Sequence, residues 1–171
     1  MTSTANDPSA SHPPITLRPA TAADVPALVP LLVRLKRLNE EFDPLLKVRA
    51  DVESRATEVL KRDLANTDAV VLAAEGTGHD SGKVIGVVRA LVRERPFYTP
   101  EREGVIVDIY LLPLYRRRGV GKYLLEETAS RLKAKGAGII TAEFPVQNDI
   151  AVRYYQKLGF RAITALHARS A

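Results

Sequence analysis

The sequence predicts a mixed α/β domain: a central, mostly antiparallel mixed sheet flanked by helices. Three observations predict it. Two apolar, β-branched runs at residues 69–74 and 84–92 bracket Glu75-Gly76-Thr77-Gly78-His79-Asp80-Ser81-Gly82, the pattern of an antiparallel hairpin with a loop longer than the tightest turns. A strand, a glycine turn, a helix and another strand succeed one another over residues 104–144. Segments with apolar residues at helical spacing lie before and after these strands. A length of 171 residues suits one domain with a sizeable core.

In order along the chain, residues 1–14 mix Thr, Ser, Ala, Asn and Pro without an apolar period and are expected to be a flexible tail. The domain is expected over residues 15–171. Residues 15–18 alternate as a short strand, and Thr21 offers a capping hydroxyl to a helix carrying Leu28, Leu31, Leu32, Leu35 and Leu38. Asp24 lies in the positively charged first turn of that helix, which ends near Asp43-Pro44 because the residue before proline is pushed out of the helical region. A second helix covers residues 52–64. After the hairpin, Pro96 and Pro100 break the pattern, and residues 104–112 form a third long strand closed by Pro113. A helix over residues 120–135 places Leu125, Ala129 and Leu132 on one face and ends at Gly136 and Gly138. Residues 139–144 are a strand, Asn148 caps a helix carrying Ala151, Tyr155 and Leu158, and residues 160–166 are expected to form the last strand.

Hydrophobic residues make up 46% and charged residues 26%, ordinary globular usage that argues against overall disorder. No apolar run approaches the ~18 residues needed to cross a bilayer, and the N-terminus lacks a signal core, so a cytoplasmic location is expected. Cys is absent and only three His are present, which excludes disulfides and thiolate nucleophiles and leaves no expected metal site. A net charge of +5 and a pI near 9.6 favour anionic partners, either nucleic acid or a phosphate-bearing cofactor.

The densest chemistry lies in Arg116-Arg117-Arg118-Gly119-Val120-Gly121-Lys122. A strand, a tight Gly-x-Gly turn and a helix point backbone N–H groups and the positive end of the helix dipole at one spot, which suits a pyrophosphate. Gly119 and Gly121 allow a close approach of backbone to anion, and the surrounding cations add charge. A P-loop is excluded, because it requires glycine at position 116 and Ser or Thr after the lysine, where Tyr123 stands. A dinucleotide fingerprint needs three glycines and has two.

The residues 111–121 that contain this turn, together with Asn148, Ala151, Tyr155 and Leu158-Gly159-Phe160 at their spacing, resemble the GNAT superfamily of N-acetyltransferases. Ile15-Thr16-Leu17-Arg18-Pro19-Ala20 followed by Asp24 resembles that family's opening, so the likeness runs over residues 15–160 and is weakest at 36–66. The resemblance implies splayed strands that hold the pantetheine arm of acetyl-CoA, with residues 105–112 and 139–144 as the two strands. It implies that Leu111 orients the thioester, that Arg116, Arg117, Arg118, Gly119, Val120, Gly121 and Lys122 hold the pyrophosphate, and that Asn148 lines the splay.

Acyl transfer to an amine requires a neutral nitrogen and a donor beside the departing thiolate. Tyr155 is the candidate general acid, at the place where the family keeps one, with adjacent Tyr154 the more natural core aromatic. Glu143 is the candidate base, by its resemblance in spacing to ribosomal-protein alanine N-acetyltransferases, and Asp108 is the alternative, acting directly or through water. The expected partner is a primary amine, small molecule or protein N-terminus or lysine, with a homodimer as the candidate assembly and no membrane partner. Two other classes stand beside this reading. One is a non-catalytic CoA-binding regulatory module. The other is a basic nucleic-acid-binding protein, against which stand an aromatic content of 6% and the lack of Trp.

Overall fold

The computed structural model describes residues 15–116 and 119–170. Five strands form one sheet in the spatial order of the chain: β1 (Ile15–Pro19), β2 (Ala69–Gly76), β3 (Val84–Glu94), β4 (Arg102–Leu111) and β5 (Ile139–Ala142). The first three pairings are antiparallel and only β4 with β5 is parallel. The α-helices among the described residues are α1 (Val25–Glu40), α2 (Val52–Ala65), α3 (Val120–Ala134) and α4 (Asp149–Lys157). The single parallel pair follows from the connection: α3 carries the chain back over the sheet, so β5 runs in the direction of β4. This is the mixed sheet flanked by helices that the sequence predicts.

Both faces of the sheet are covered, which is why β2 reads as an unbroken apolar run. Val71, Ala73, Val87 and Tyr110 pack against Leu28, Leu32 and Leu60 of α1 and α2. The alternate residues Val70, Leu72, Val88 and Ala90 pack with Ile106, Leu111 and the α3 residues Leu124 and Leu132. At the entry to α1, Thr21 is the N-cap of a short 3-10 turn, Ala22–Asp24, that runs directly into the helix. The Thr21 amide and hydroxyl donate to the Asp24 carboxylate at 2.7 and 3.0 Å, Arg18 donates two further bonds at 2.7 and 2.8 Å, and α1 begins one residue later.

Two departures from expectation lie at the far side of β4. The strand expected over residues 139–144 stops at Ala142, where the Glu143 amide makes a last bond to the Ile106 carbonyl at 3.0 Å. The strand expected over residues 160–166 does not form: residues 160–170 have no regular structure, and Ile163 and Leu166 are exposed. Local β-propensity makes no strand without a neighbour to complete its ladder.

Candidate active site

β4 carries one residue too many for its partner. Asp108 pairs with Arg89 while Ile106 pairs with Ala90, so Val107 is a bulge. The parallel ladder with β5 covers only Glu103 to Ile106 of β4. Beyond the bulge β4 continues along β3, while the segment after β5 turns off at Glu143. Among the described residues, the edge of β4 that faces away from β3 is therefore without a strand partner from Val107 to Leu111. Because the Leu112 amide donates to the Ile85 carbonyl at 2.9 Å, strand alternation turns the Leu111 amide toward this open edge.

Past β4, the turn Pro113–Tyr115 is tied down by the Tyr115 hydroxyl, which donates to Asp80 at 2.7 Å. Gly119 then takes a φ of 87°, a left-handed conformation that an L side chain rarely adopts, and α3 starts at Val120. The Tyr123 amide bonds back to the Gly119 carbonyl at 3.0 Å; the amides before it have no intrahelical partner, as at any helix start. Lys122 lies in this first turn, loosely paired with Glu126 at 3.6 Å. Arg117 and Arg118 lie outside the described residues. The Arg116 side chain folds back on the strand, with Nε donating to the Leu111 carbonyl at 2.8 Å and the guanidinium 5.2 Å from the centre of the Tyr110 ring.

Gly121 owes its small size to packing. A β-carbon there would lie 2.6 Å from the Tyr154 ring, and the Tyr154 hydroxyl donates to the Gly121 carbonyl at 2.5 Å. Burial pushes that phenol up to about 12. The two adjacent tyrosines thus divide their tasks: Tyr154 ties α4 to the first turn of α3, and Tyr155 turns to the open edge of β4.

Tyr155 is buried, stacked on Phe144 at 4.9 Å and contacted edge-on by Tyr154 and Phe160. Burial raises its phenol well above the ordinary value, and the nearby Tyr154 and Asp108 raise it further. It lines a cleft of about 70 Å³ with Asp108, Glu143, Phe144, Asn148 and, from α1, Asn39. Asn148 caps α4 through its side-chain oxygen, which accepts from the Ala151 amide at 3.1 Å. A larger hollow of about 710 Å³ lies between α1 and α2, lined by Pro26, Val29, Thr57 and Lys61, and no sequence-predicted site residue lines it.

The two candidate bases differ in their surroundings. Asp108 is buried, with Lys36 on one oxygen and Arg89 on the other. Arg89 also grips Asp63 of α2 at 2.6 and 2.9 Å, and Arg62 reaches the other oxygen of Asp63. Glu143 is more than half exposed and pairs with Arg93 at 2.6 Å. The structure therefore brings Tyr155, Glu143, Asp108 and Asn148 to one cleft at the open edge of β4, with Leu111 further along that edge. Lys36, Asp63, Arg89 and Arg93 were missed by sequence reasoning. The available signal was a lone charge inside an apolar strand, as in Val88-Arg89-Ala90 and Val107-Asp108-Ile109.

A family model described as acetyltransferase (GNAT) family matches residues 35–160. The chain is 32% identical over 62 residues to the ribosomal protein bS18 alanine N-acetyltransferase of Escherichia coli K12, a match that spans 36% of this chain and 42% of that protein. It is 35% identical over 66 residues to an N-alpha-acetyltransferase of Sulfurisphaera tokodaii, spanning 38% of this chain and 40% of that one. Among solved structures it is similar to a predicted acetyltransferase with acetyl-CoA from Clostridium acetobutylicum. The TM-score is 0.72 at 19% identity, over 91% of this chain and 96% of that one, a likeness of fold. No helix among the described residues is long and apolar enough to cross a membrane. The strand that loses its neighbour, the glycine turn that follows it and a family match over well over half of the sequence lead to one assignment: the chain belongs to the GNAT acetyltransferase family.

Proposed function

We propose that this protein transfers an acetyl group from acetyl-CoA to a primary amine, by direct attack within the cleft at the open edge of β4. The observation that supports the reading is that edge: its strand amides are unpartnered among the described residues, Tyr155 lines the cleft beside it, and the neighbouring Tyr154 ties the first turn of α3 to the same helix. The residues present fit acetyl-CoA: Leu111 and its neighbours offer amides to an extended amide-bearing arm, and the start of α3 with Gly119 and Lys122 offers positive potential to a pyrophosphate. When bound, acetyl-CoA supplies a thioester activated toward nitrogen.

The side chains of this chain do the rest. Tyr155 keeps its proton at any working pH, because burial opposes the phenolate. It therefore donates a hydrogen bond to the departing sulfur and holds the position of the thiolate. Glu143, reachable by water, accepts the proton that the attacking ammonium must lose. Asp108 has both oxygens committed to cations, so it is less available as a base and anchors the floor of the cleft. Asn148 spends its oxygen on the α4 cap and keeps its amide N–H groups for a ligand. The names of the two partial relatives support an α-amino acceptor, whose pKa near ~8 needs little help from a base.

The test is a thiol-release assay with acetyl-CoA against a peptide with a free N-terminal alanine, a lysine side-chain amine and spermidine, with mass gain of the acceptor as second readout. Thiol release with acetyl-CoA-dependent mass gain is expected for the peptide. Thermal stabilisation by CoA without release from any of the three would leave a binding module in place of an enzyme.

A further inference from the structure

The peptide unit that joins Leu111 to Leu112 is bonded at both ends. Its N–H donates to the Ile85 carbonyl of β3 at 2.9 Å, and its carbonyl accepts from Arg116 Nε at 2.8 Å. The guanidinium rests 5.2 Å from the centre of the Tyr110 ring, a cation–π position that favours this fold-back over free solvent. Tyr115 fixes the intervening turn from the opposite side through Asp80, which is itself held by Lys83 at 2.7 Å. In a strand, the N–H and C=O of one residue face the same edge, so the Leu111 amide and the Leu111 carbonyl both look onto the opening beside β4. A bare carbonyl there would repel the oxygen of a thioester, and more so as that oxygen gains negative charge. Covered by Arg116, that position presents a donor, a masked acceptor and a positive charge.

We propose that Arg116 is a positioning residue for acetyl transfer: it masks the Leu111 carbonyl and fixes the Leu111 amide toward the thioester oxygen, and it does not hold the pyrophosphate. This rests on the acetyl-transfer reading and departs from the sequence expectation that all three arginines bind phosphate. Chemically the two roles separate by donor. A phosphate ligand matters only when phosphate is present, whereas a residue that sets the strand edge matters for any thioester laid along it.

The experiment compares Arg116→Ala, Arg116→Lys and the wild type with two donors, acetyl-CoA and S-acetylpantetheine, which lacks phosphate. Amide hydrogen exchange over residues 105–112 is followed in the same proteins. Arg116→Ala is expected to lower kcat/KM about ten- to hundredfold with both donors alike, mainly in kcat, and to speed exchange of the Leu112 amide. Arg116→Lys, which retains a donor for the carbonyl, recovers part of both. A loss confined to acetyl-CoA, appearing in KM and growing with falling salt, would make Arg116 a phosphate ligand and overturn the proposal. Unchanged exchange at Leu112 overturns it as well. If the wild type acetylates nothing with either donor, the acetyl-transfer reading fails by itself, and the exchange measurement still decides whether Arg116 fixes the strand.

Discussion

Replacing Gly121 by Ala is the smallest change that tests how the opening is held. The added carbon lies 2.6 Å from Tyr154 Cε2 and 3.3 Å from Cζ and the hydroxyl oxygen, against the ~3.5–4.0 Å at which carbons attract. The ring must retreat by roughly 1 Å, and its hydroxyl then leaves the Gly121 carbonyl, now 2.5 Å away. Overpacking costs about 1–3 kcal/mol and the lost hydrogen bond about 0.5–1.5 kcal/mol, while alanine returns up to ~1 kcal/mol of helix propensity. The net is a destabilisation of about 2 kcal/mol, or about 4–8 °C in Tm for a chain of this size. Thermal denaturation reads the shift. Repeating the substitution in a Tyr154→Ala background isolates the clash, because the penalty should then fall to near zero or reverse. A Gly121→Ala protein that melts at or above the wild type would refute the argument, as would an equal penalty with the ring removed.

The remaining expectations concern the charged groups and the phenol. Tyr155→Phe should lower kcat about 10²-fold while leaving acetyl-CoA affinity and Tm near wild type, measured by steady-state kinetics and calorimetric titration; full activity would remove the hydroxyl from the mechanism. Asp108→Asn leaves Lys36 and Arg89 facing one carboxylate fewer and should cost about 3–5 kcal/mol in urea unfolding, whereas Glu143→Gln should cost under about 1 kcal/mol and act instead on the pH dependence of kcat/KM. Arg18 and Thr21 hold the Asp24 carboxyl well below the usual carboxylate range. A depressed folded-state pKa contributes stability that is complete above the unfolded value of ~3.9 and is lost as pH falls through the folded one. The stability gap between wild type and Asp24→Asn should therefore be constant from about pH 5 to 7 and shrink at pH 3, read from urea midpoints; a gap that widens in acid would contradict the sign.

Most of the framework was legible because it obeys local rules. The Leu positions of α1, the β-branched hairpin and the glycine that opens α3 each announce themselves within about two dozen residues. What was not legible depends on distance along the chain. Asp108 meets Lys36 across 72 residues and Arg89 across 19, and Asp63 meets Arg89 across 26, so no window of sequence shows that these charges neutralise one another. Arg116 read as one of three equivalent arginines, because its fold-back exists only once the turn at Pro113 returns the chain toward Leu111. Gly121 read as room for an anion, and the neighbour that requires it, Tyr154, lies 33 residues away. The strand expected after Phe160 failed for the opposite reason: its local pattern was adequate and its neighbour was missing.

The extra residue in β4 has a consequence for how such a site tolerates change in length. Val105, Ile106, Asp108, Ile109, Tyr110 and Leu111 would alternate without fault if Val107 were deleted, sending the same side chains to the same two layers. The strand would then lose its bend, and β5 could extend past Ala142 along the freed edge as far as Pro145, which has no N–H for the ladder. A protein shortened at this position should keep its core and its helices and lose its opening. In this architecture a one-residue insertion marks the difference between an uninterrupted sheet and an edge that can receive a second molecule.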